Sequence, residues 1–225
     1  MAVPDAHGIV PYLDVATLCW LAYKDRKGGE PRRGPWLWLS CKGNKWKVVE
    51  EIERGPLHAI VVQGSRENKN KVSGKIILAF SGTDEWADWR DNIDQGLKGI
   101  SDQYFQALMI SKAYVCEMVV GHSLGGGLAS FVAIHRGIKA ATVNPAPLRV
   151  SAINNAEIIN KRSYLVKNYV VLGEVLDILD KRSSKMTRVG EIIPVKPKAG
   201  DAMDSITLHM LDNLAGFAPP TKIKI

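Results

Sequence analysis

Apolar residues in the stretch 12–24 recur at Leu13, Ala16, Trp20 and Tyr23, a helical period that predicts an amphipathic helix near the start of the chain. Residues 25–35 are dense in Lys, Arg, Gly and Pro and predict a loop. Three strand-like runs follow at 45–53, 58–63 and 75–80, the last two separated by a polar hairpin loop. Residues 85–113 return to helical spacing, first with Trp86, Trp89 and Ile93. After a glycine break at 96–99 the period resumes with Tyr104, Ala107, Leu108 and Ser111. The apolar run 118–120 leads into a glycine-rich turn, a helix continues through 128–136, and Gly137 stops it. Strands are predicted at 140–143 and 164–172, a basic irregular stretch at 181–200, and a last helix at 206–217. Strands alternating with helices through the middle predict an α/β fold, with a mostly parallel central sheet and helices on both faces. The early strands, tightly joined, are expected to be antiparallel. No repeat is visible, and residues 1–225 are read as a single domain.

The glycine-rich turn is Gly121-His122-Ser123-Leu124-Gly125, the G-x-S-x-G pattern with an apolar strand before it and a helix after it. In that setting the serine sits on a strained strand-to-helix turn with its hydroxyl above the sheet. Side chains two residues to either side would collide with neighbouring backbone, so both positions need glycine. The start of the helix offers backbone N–H groups and positive dipole to an oxyanion. Gly125, Ala129 and Ala133 form a small-residue line that lets the helix sit close on the sheet. A plain turn is the bland alternative. A phosphate-binding loop is excluded because no Gly-Lys-Ser/Thr follows.

A serine nucleophile needs a base, and the chain has five histidines. His7 lies near the start and His58 opens a strand. His122 adjoins the serine but should point away from it. His135 lies about 18 Å along the helix by rise per residue. The order serine, acid, histidine selects His209. The acid should follow the 164–172 strand, where Glu174, Asp177 and Asp180 are available. Glu174 directly follows a strand end and Gly173, Asp177 is one turn further on, and Asp180 reads as a solvated helix end. Glu174 and Asp177 both remain candidates to fix the imidazole tautomer. The Leu124 N–H is the first expected oxyanion donor. Thr83, in the loop that ends the 75–80 strand, supplies the second.

Composition adds limits. The chain is 46% hydrophobic and 24% charged, a globular balance, and no apolar run approaches a membrane-spanning length. Three widely spaced cysteines form neither a disulfide framework nor a zinc site, and no metal or cofactor is expected. The N-terminus lacks a basic region ahead of an apolar core, so synthesis in the cytoplasm is expected, with any export by a route that reads no signal peptide. The net charge of +7 by itself suits nucleic acid and an anionic lipid surface equally well. The basic run 181–198 reads as a solvated loop or a headgroup contact. It has no interleaved aromatics, and no nucleic-acid partner is expected.

Residues 79–83 (Ala-Phe-Ser-Gly-Thr), 86–92 (Trp-Ala-Asp-Trp-Arg-Asp-Asn), 121–127 and the late His209, with Asn-Pro-Ala-Pro from Asn144, together resemble the class 3 lipases. The chain is most similar to bacterial phospholipase A1-like members, among them lipase effectors of type VI secretion. The resemblance spans roughly 45–217. It implies an α/β-hydrolase fold and ester hydrolysis without a metal, with Ser123 as nucleophile, His209 as base and Thr83 as oxyanion donor. It also implies a lid over 84–94 with Trp89 in it. Trp86 and Trp89 are then lid or rim residues, and otherwise plain core. Ser81 stands where the family usually has Arg, and Glu174 where it usually has Asp. The implied partners are a lipid or phospholipid substrate, a membrane surface and, for an effector, an immunity or accessory protein. The rival functions are a soluble carboxylesterase or triacylglycerol lipase, and an inactive binding module of the same fold.

Overall fold

The computed structural model describes residues 3–23, 33–82, 100–149, 156–182, 186–199 and 203–224. Thr83, Trp86 and Trp89, and with them the predicted lid, lie outside the described residues.

One helix precedes the sheet, α1 (Tyr12–Ala22). Four strands follow: β1 (Trp36–Leu39), β2 (Lys45–Arg54), β3 (Leu57–Gly64) and β4 (Ile76–Phe80). Then come α2 (Ile100–Lys112), β5 (Met118–His122), α3 (Leu124–Arg136), β6 (Lys139–Val143) and β7 (Leu148–Arg149). The chain continues through α4 (Ala156–Arg162), β8 (Val166–Val171), α5 (Val175–Arg182), β9 (Met186–Thr187) and β10 (Glu191–Val195). It closes with α6 (Ser205–His209) and β11 (Thr221–Lys224).

Nine strands form one sheet in the order β10-β8-β6-β5-β4-β3-β2-β1-β11. Pairing is parallel from β4 to β10. It is antiparallel from β4 to β11, as the short early loops predict. Alternation along each strand divides the core. Ile77, Ala79 and Val120 meet α1 on one face, while Leu78, Phe80 and Val119 meet α2 and α3 on the other. Helices therefore cover both faces of an α/β sheet.

The sequence reading differs from the structure in four places. Every residue of α1 is buried, not one stripe. The sheet takes one side, and the segment carrying Leu211, Leu214 and Phe217 packs in the same cluster, with Tyr12 Oη donating to Ala215 O at 2.9 Å. Strands β1 and β11, which pair with each other at the edge, went unpredicted because each has only four residues. The stretch 181–200 is not wholly irregular: β10 turns Ile193 and Val195 inward, and its Pro194 is tolerable because the strand is an edge. The last helix stops at His209. Met210 is extended (ψ 138°), and a 3-10 turn at Leu211–Asn213 follows.

Candidate active site

Strand β5 ends in the core of the sheet, and the chain must reverse into α3 immediately. Ser123 makes that turn at φ 58° and ψ −128°, a conformation costly for a residue with a side chain, about 1–3 kcal/mol. The glycines around it are obligatory for space. A Cβ on Gly121 would lie 2.1 Å from Gly125 O, and one on Gly125 would lie 2.3 Å from Phe80 O. Backbone bonds hold the turn: Ser123 N–H donates to Val143 O (3.2 Å), and Ser123 O accepts from Ala146 N–H (2.8 Å). Ser123 is buried, and its Oγ has no hydrogen-bond partner among the described residues. Helix α3 starts at Leu124, so the Leu124 N–H belongs to the first-turn donors that no helical carbonyl satisfies.

His209 comes to this turn from the far end of the chain. Asp204 caps α6 by accepting from Ile206 N–H and Thr207 N–H. The His209 carbonyl accepts from His122 Nε2 and from Asn144 Nδ2, both at 2.9 Å. His122 directly precedes Ser123, and its ring centroid is 4.6 Å from that of His209. The other His122 nitrogen, Nδ1, accepts from Tyr23 Oη at 2.7 Å, which assigns the proton to Nε2.

The partner of the imidazole is Glu174. His209 Nδ1 lies 2.6 Å from Glu174 Oε2, and both side chains are 0% exposed. The same oxygen accepts from Leu176 N–H at 2.9 Å. Burial pushes the Glu174 carboxyl upward, against the Leu176 N–H and the positive Arg188. Burial, and then the charge of Arg188, pushes His209 downward, so the imidazole rests neutral, the form a proton acceptor needs.

Asp177, the other acid candidate, is engaged elsewhere. It accepts from Gly173 N–H (2.8 Å) and Lys181 Nζ (2.7 Å) and faces Arg188 Nη1 at 3.5 Å. Burial alone would raise its pKa; the Lys181 and Gly173 hydrogen bonds and the nearby cations bring it below the ordinary value. Asp180 pairs with the backbone N–H of Arg188 rather than facing water alone. The other histidines have partners away from the turn. His7 Nε2 meets Ala140 O, His58 Nδ1 meets Ala22 O, and the His135 ring packs at a tilt against Phe131.

Two residues take roles in the site that the sequence does not assign to them. Asn144 (φ 41°) donates to His209 O and accepts from Val171 N–H, tying the ends of β6 and β8 to the histidine. Its placement before Pro145 at a strand end was the available signal. Arg188 was read as part of a solvated basic run, yet its side chain is 2% exposed beside Glu174. Lys196 and Lys198 are exposed, as expected. Ser81, standing where the resembled family has Arg, anchors the loop before Thr83 by donating to Gly82 O (2.7 Å) while its N–H donates to His58 O (2.9 Å). Among the described residues no acidic, histidine and cysteine cluster could hold a metal, and no helix is long and apolar enough to cross a membrane.

The family model described as Phospholipase-like, Tle-like phospholipase domain, matches residues 51–216. The extracellular phospholipase A1 of Serratia liquefaciens is 37% identical over 85 residues, 36% of this chain and 27% of that protein, so the match spans about a quarter of the relative's length. A triacylglycerol lipase from Penicillium expansum superposes with a TM-score of 0.57 over 96% of each chain at 12% identity. The Rhizomucor miehei lipase, in its propeptide complex, gives 0.51 over 92% of this chain and 76% of that one, at 14% identity. These two neighbours share the α/β-hydrolase fold with this chain.

Proposed function

The chain belongs to the Tle-like phospholipase domain family, and from that premise we propose that it is a serine carboxylic-ester hydrolase acting on lipids, with glycerophospholipids cleaved in the phospholipase A1 manner. One observation carries the reading: a fully buried imidazole–carboxylate contact of 2.6 Å belongs to a histidine whose carbonyl is bonded to His122, the residue before a serine strained at φ 58° on a strand-to-helix turn. Ser123 Oγ attacks the acyl carbonyl while His209 Nε2 takes its proton, and Glu174 stabilises the imidazolium. The Leu124 N–H and, from its sequence position, Thr83 hold the oxyanion. His209 returns the proton to the departing lysophospholipid oxygen. A water deprotonated by His209 then releases the fatty acid from Ser123. The Ser123–His209 hydrogen bond forms as substrate fills the site; such bonds often tighten only in the complex.

The Serratia relative supports the phospholipid class by its name, and the net charge of +7 supports contact with an anionic membrane surface. For a delivered effector, an immunity or accessory protein would cover the site.

The test presents the protein with phosphatidyl vesicles carrying distinguishable acyl chains at the two positions, with triacylglycerol emulsion, and with a soluble short ester. Release of the sn-1 fatty acid, lost in Ser123→Ala, is expected. Turnover of the short ester alone would turn the reading to a soluble carboxylesterase. Undiminished release by Ser123→Ala would overturn the serine mechanism.

A further inference from the structure

Arg188 takes no part in the steps above, yet it is buried beside the acid of the site. It lies in the link between β9 and β10, and its side chain is 2% exposed. A buried guanidinium is costly unless carboxylates and acceptors surround it. Here Nη2 faces Glu174 Oε1 at 3.5 Å and donates to Pro145 O at 3.1 Å, while Nη1 faces Asp177 (3.5 Å) and Asp180 (3.9 Å). The two Glu174 oxygens are divided. Oε2 takes His209 and the Leu176 N–H, and Oε1 takes Arg188. Lys181, the other nearby cation, is spent on Asp177 and is mostly exposed. Pro145 in turn packs on the first turn of α3, where a Cβ on Gly126 would lie 2.7 Å from Pro145 Cβ. One guanidinium thus joins the acid to the turn beside the nucleophile's helix.

We propose that Arg188 is the positioning residue of the acid: it supplies the buried positive charge that keeps Glu174 a carboxylate facing His209, and it ties that carboxylate to the turn after β6. The proposal deepens the hydrolase reading and rests on it for its kinetic test. The direction of the effect follows from every charged group packed there. His209 (α6), Asp177 and Asp180 (α5), Lys181 (α5) and Arg188 face Glu174 or its cluster, and His122 (β5) faces His209. Removing Arg188 leaves Glu174 with burial and the Asp177 carboxylate, both of which favour its protonated form. It also removes the cation that opposes protonation of His209. Both changes move the acid limb of activity to higher pH.

The experiment compares wild type, Arg188→Met and Arg188→Lys. In Arg188→Met the acid limb of kcat/KM should rise by about 1 pH unit or more, the size of an opposite-charge effect at this distance. Arg188→Lys, which keeps the charge, should leave the limb near its wild-type position. A merely structural role would lower kcat equally at all pH values, with Lys no better than Met. An activity-independent readout accompanies it: the infrared C=O band of a protonated buried carboxyl, assigned through its loss in Glu174→Gln. That band should persist to higher pH in Arg188→Met, and Arg188→Gln serves if the Met variant fails to fold. An unmoved limb, and a band that titrates as in wild type, would overturn the proposal. If wild type hydrolyses no ester, the functional reading falls while the infrared titration still decides the role of Arg188.

Discussion

The turn at Ser123 and the Glu174–His209 pair sit side by side yet are built in opposite ways. The turn takes its shape from residues 121–127, packed by backbone against the ends of β4 and β6. A strand end, one strained serine, two glycines without clearance for a Cβ and a helix start define it. The pair is made by contacts between distant parts of the chain. Glu174 and His209 are 35 residues apart, and the His209 carbonyl is held from 65 and 87 residues away by Asn144 and His122. The turn is held by backbone sterics, the pair by buried polar groups. Steric construction tolerates the loss of a hydroxyl. Buried polar construction does not tolerate the loss of a partner, because the group left behind stays desolvated.

The largest expected effect falls on the locally built turn, and on chemistry alone. Ser123→Ala should cut turnover by roughly a million-fold, as nucleophile removal does in comparable triads. Its urea midpoint should stay near wild type, since Oγ has no hydrogen bond to lose among the described residues. A large fall in the midpoint would break the contrast between the two regions.

Next comes the pair. Glu174→Gln should lower turnover on the order of 10⁴-fold, by analogy with an Asp→Asn change in a protease triad. Asp177→Asn should lose far less, because its oxygens serve Gly173, Lys181 and Arg188 rather than the imidazole. Steady-state rates on one ester decide it, and the reverse ranking would move the acid to Asp177.

The same division explains what the sequence made legible. The α/β layout, α3 and Gly137 as its stop follow from period and stand as read, and the strained turn at Ser123 with its two crowded glycines follows from local sterics. His209 and the choice between Glu174 and Asp177 needed chain order, and only the 2.6 Å contact separated the two acids. The role of Arg188 left almost no trace, and Asn144 entered only within Asn-Pro-Ala-Pro, with no role attached. An arginine in a basic run and an asparagine before proline look like surface residues until the fold surrounds them. Strand β10 and the short α6 were misread for a related reason. An edge strand needs only two inward side chains, and α6 ends because its last carbonyl is taken by His122 and Asn144 instead of the next turn.

Asn144→Ala tests that long-range layer directly. It removes one donor to the His209 carbonyl and the acceptor for Val171 N–H, both buried, at a residue with φ 41°. A loss of about 1–3 kcal/mol is expected from stranding such groups. That corresponds to a Tm fall of very roughly 2–12 °C for a chain of this size. Calorimetry checks it. An unchanged Tm would mean that His122 alone fixes the histidine.

The smallest effect is in stability against pH, and it belongs to the pair, whose two groups are shifted in opposite directions. Burial and Arg188 lower His209 from 6.5 to about 3, so its neutral form contributes stability fully above pH 6.5, and this is lost as pH falls toward 3. Glu174 has the opposite sign. Burial, opposed by the Leu176 N–H and Arg188, raises it from 4.5 to about 7, so its contribution is full below pH 4.5 and lost as pH rises through 7. Between pH 6.5 and 4.5 the two terms offset each other in the wild type. Glu174→Gln removes one of them and should uncover a fall in unfolding free energy as pH is lowered through that window. Its slope should approach the one-proton limit of about 1.4 kcal/mol per pH unit. Ser123→Ala, which changes no titrating group, should keep the wild-type profile. Urea titrations at a series of pH values would read both slopes. Parallel profiles for the two variants would show that the buried pair does not set the acid response.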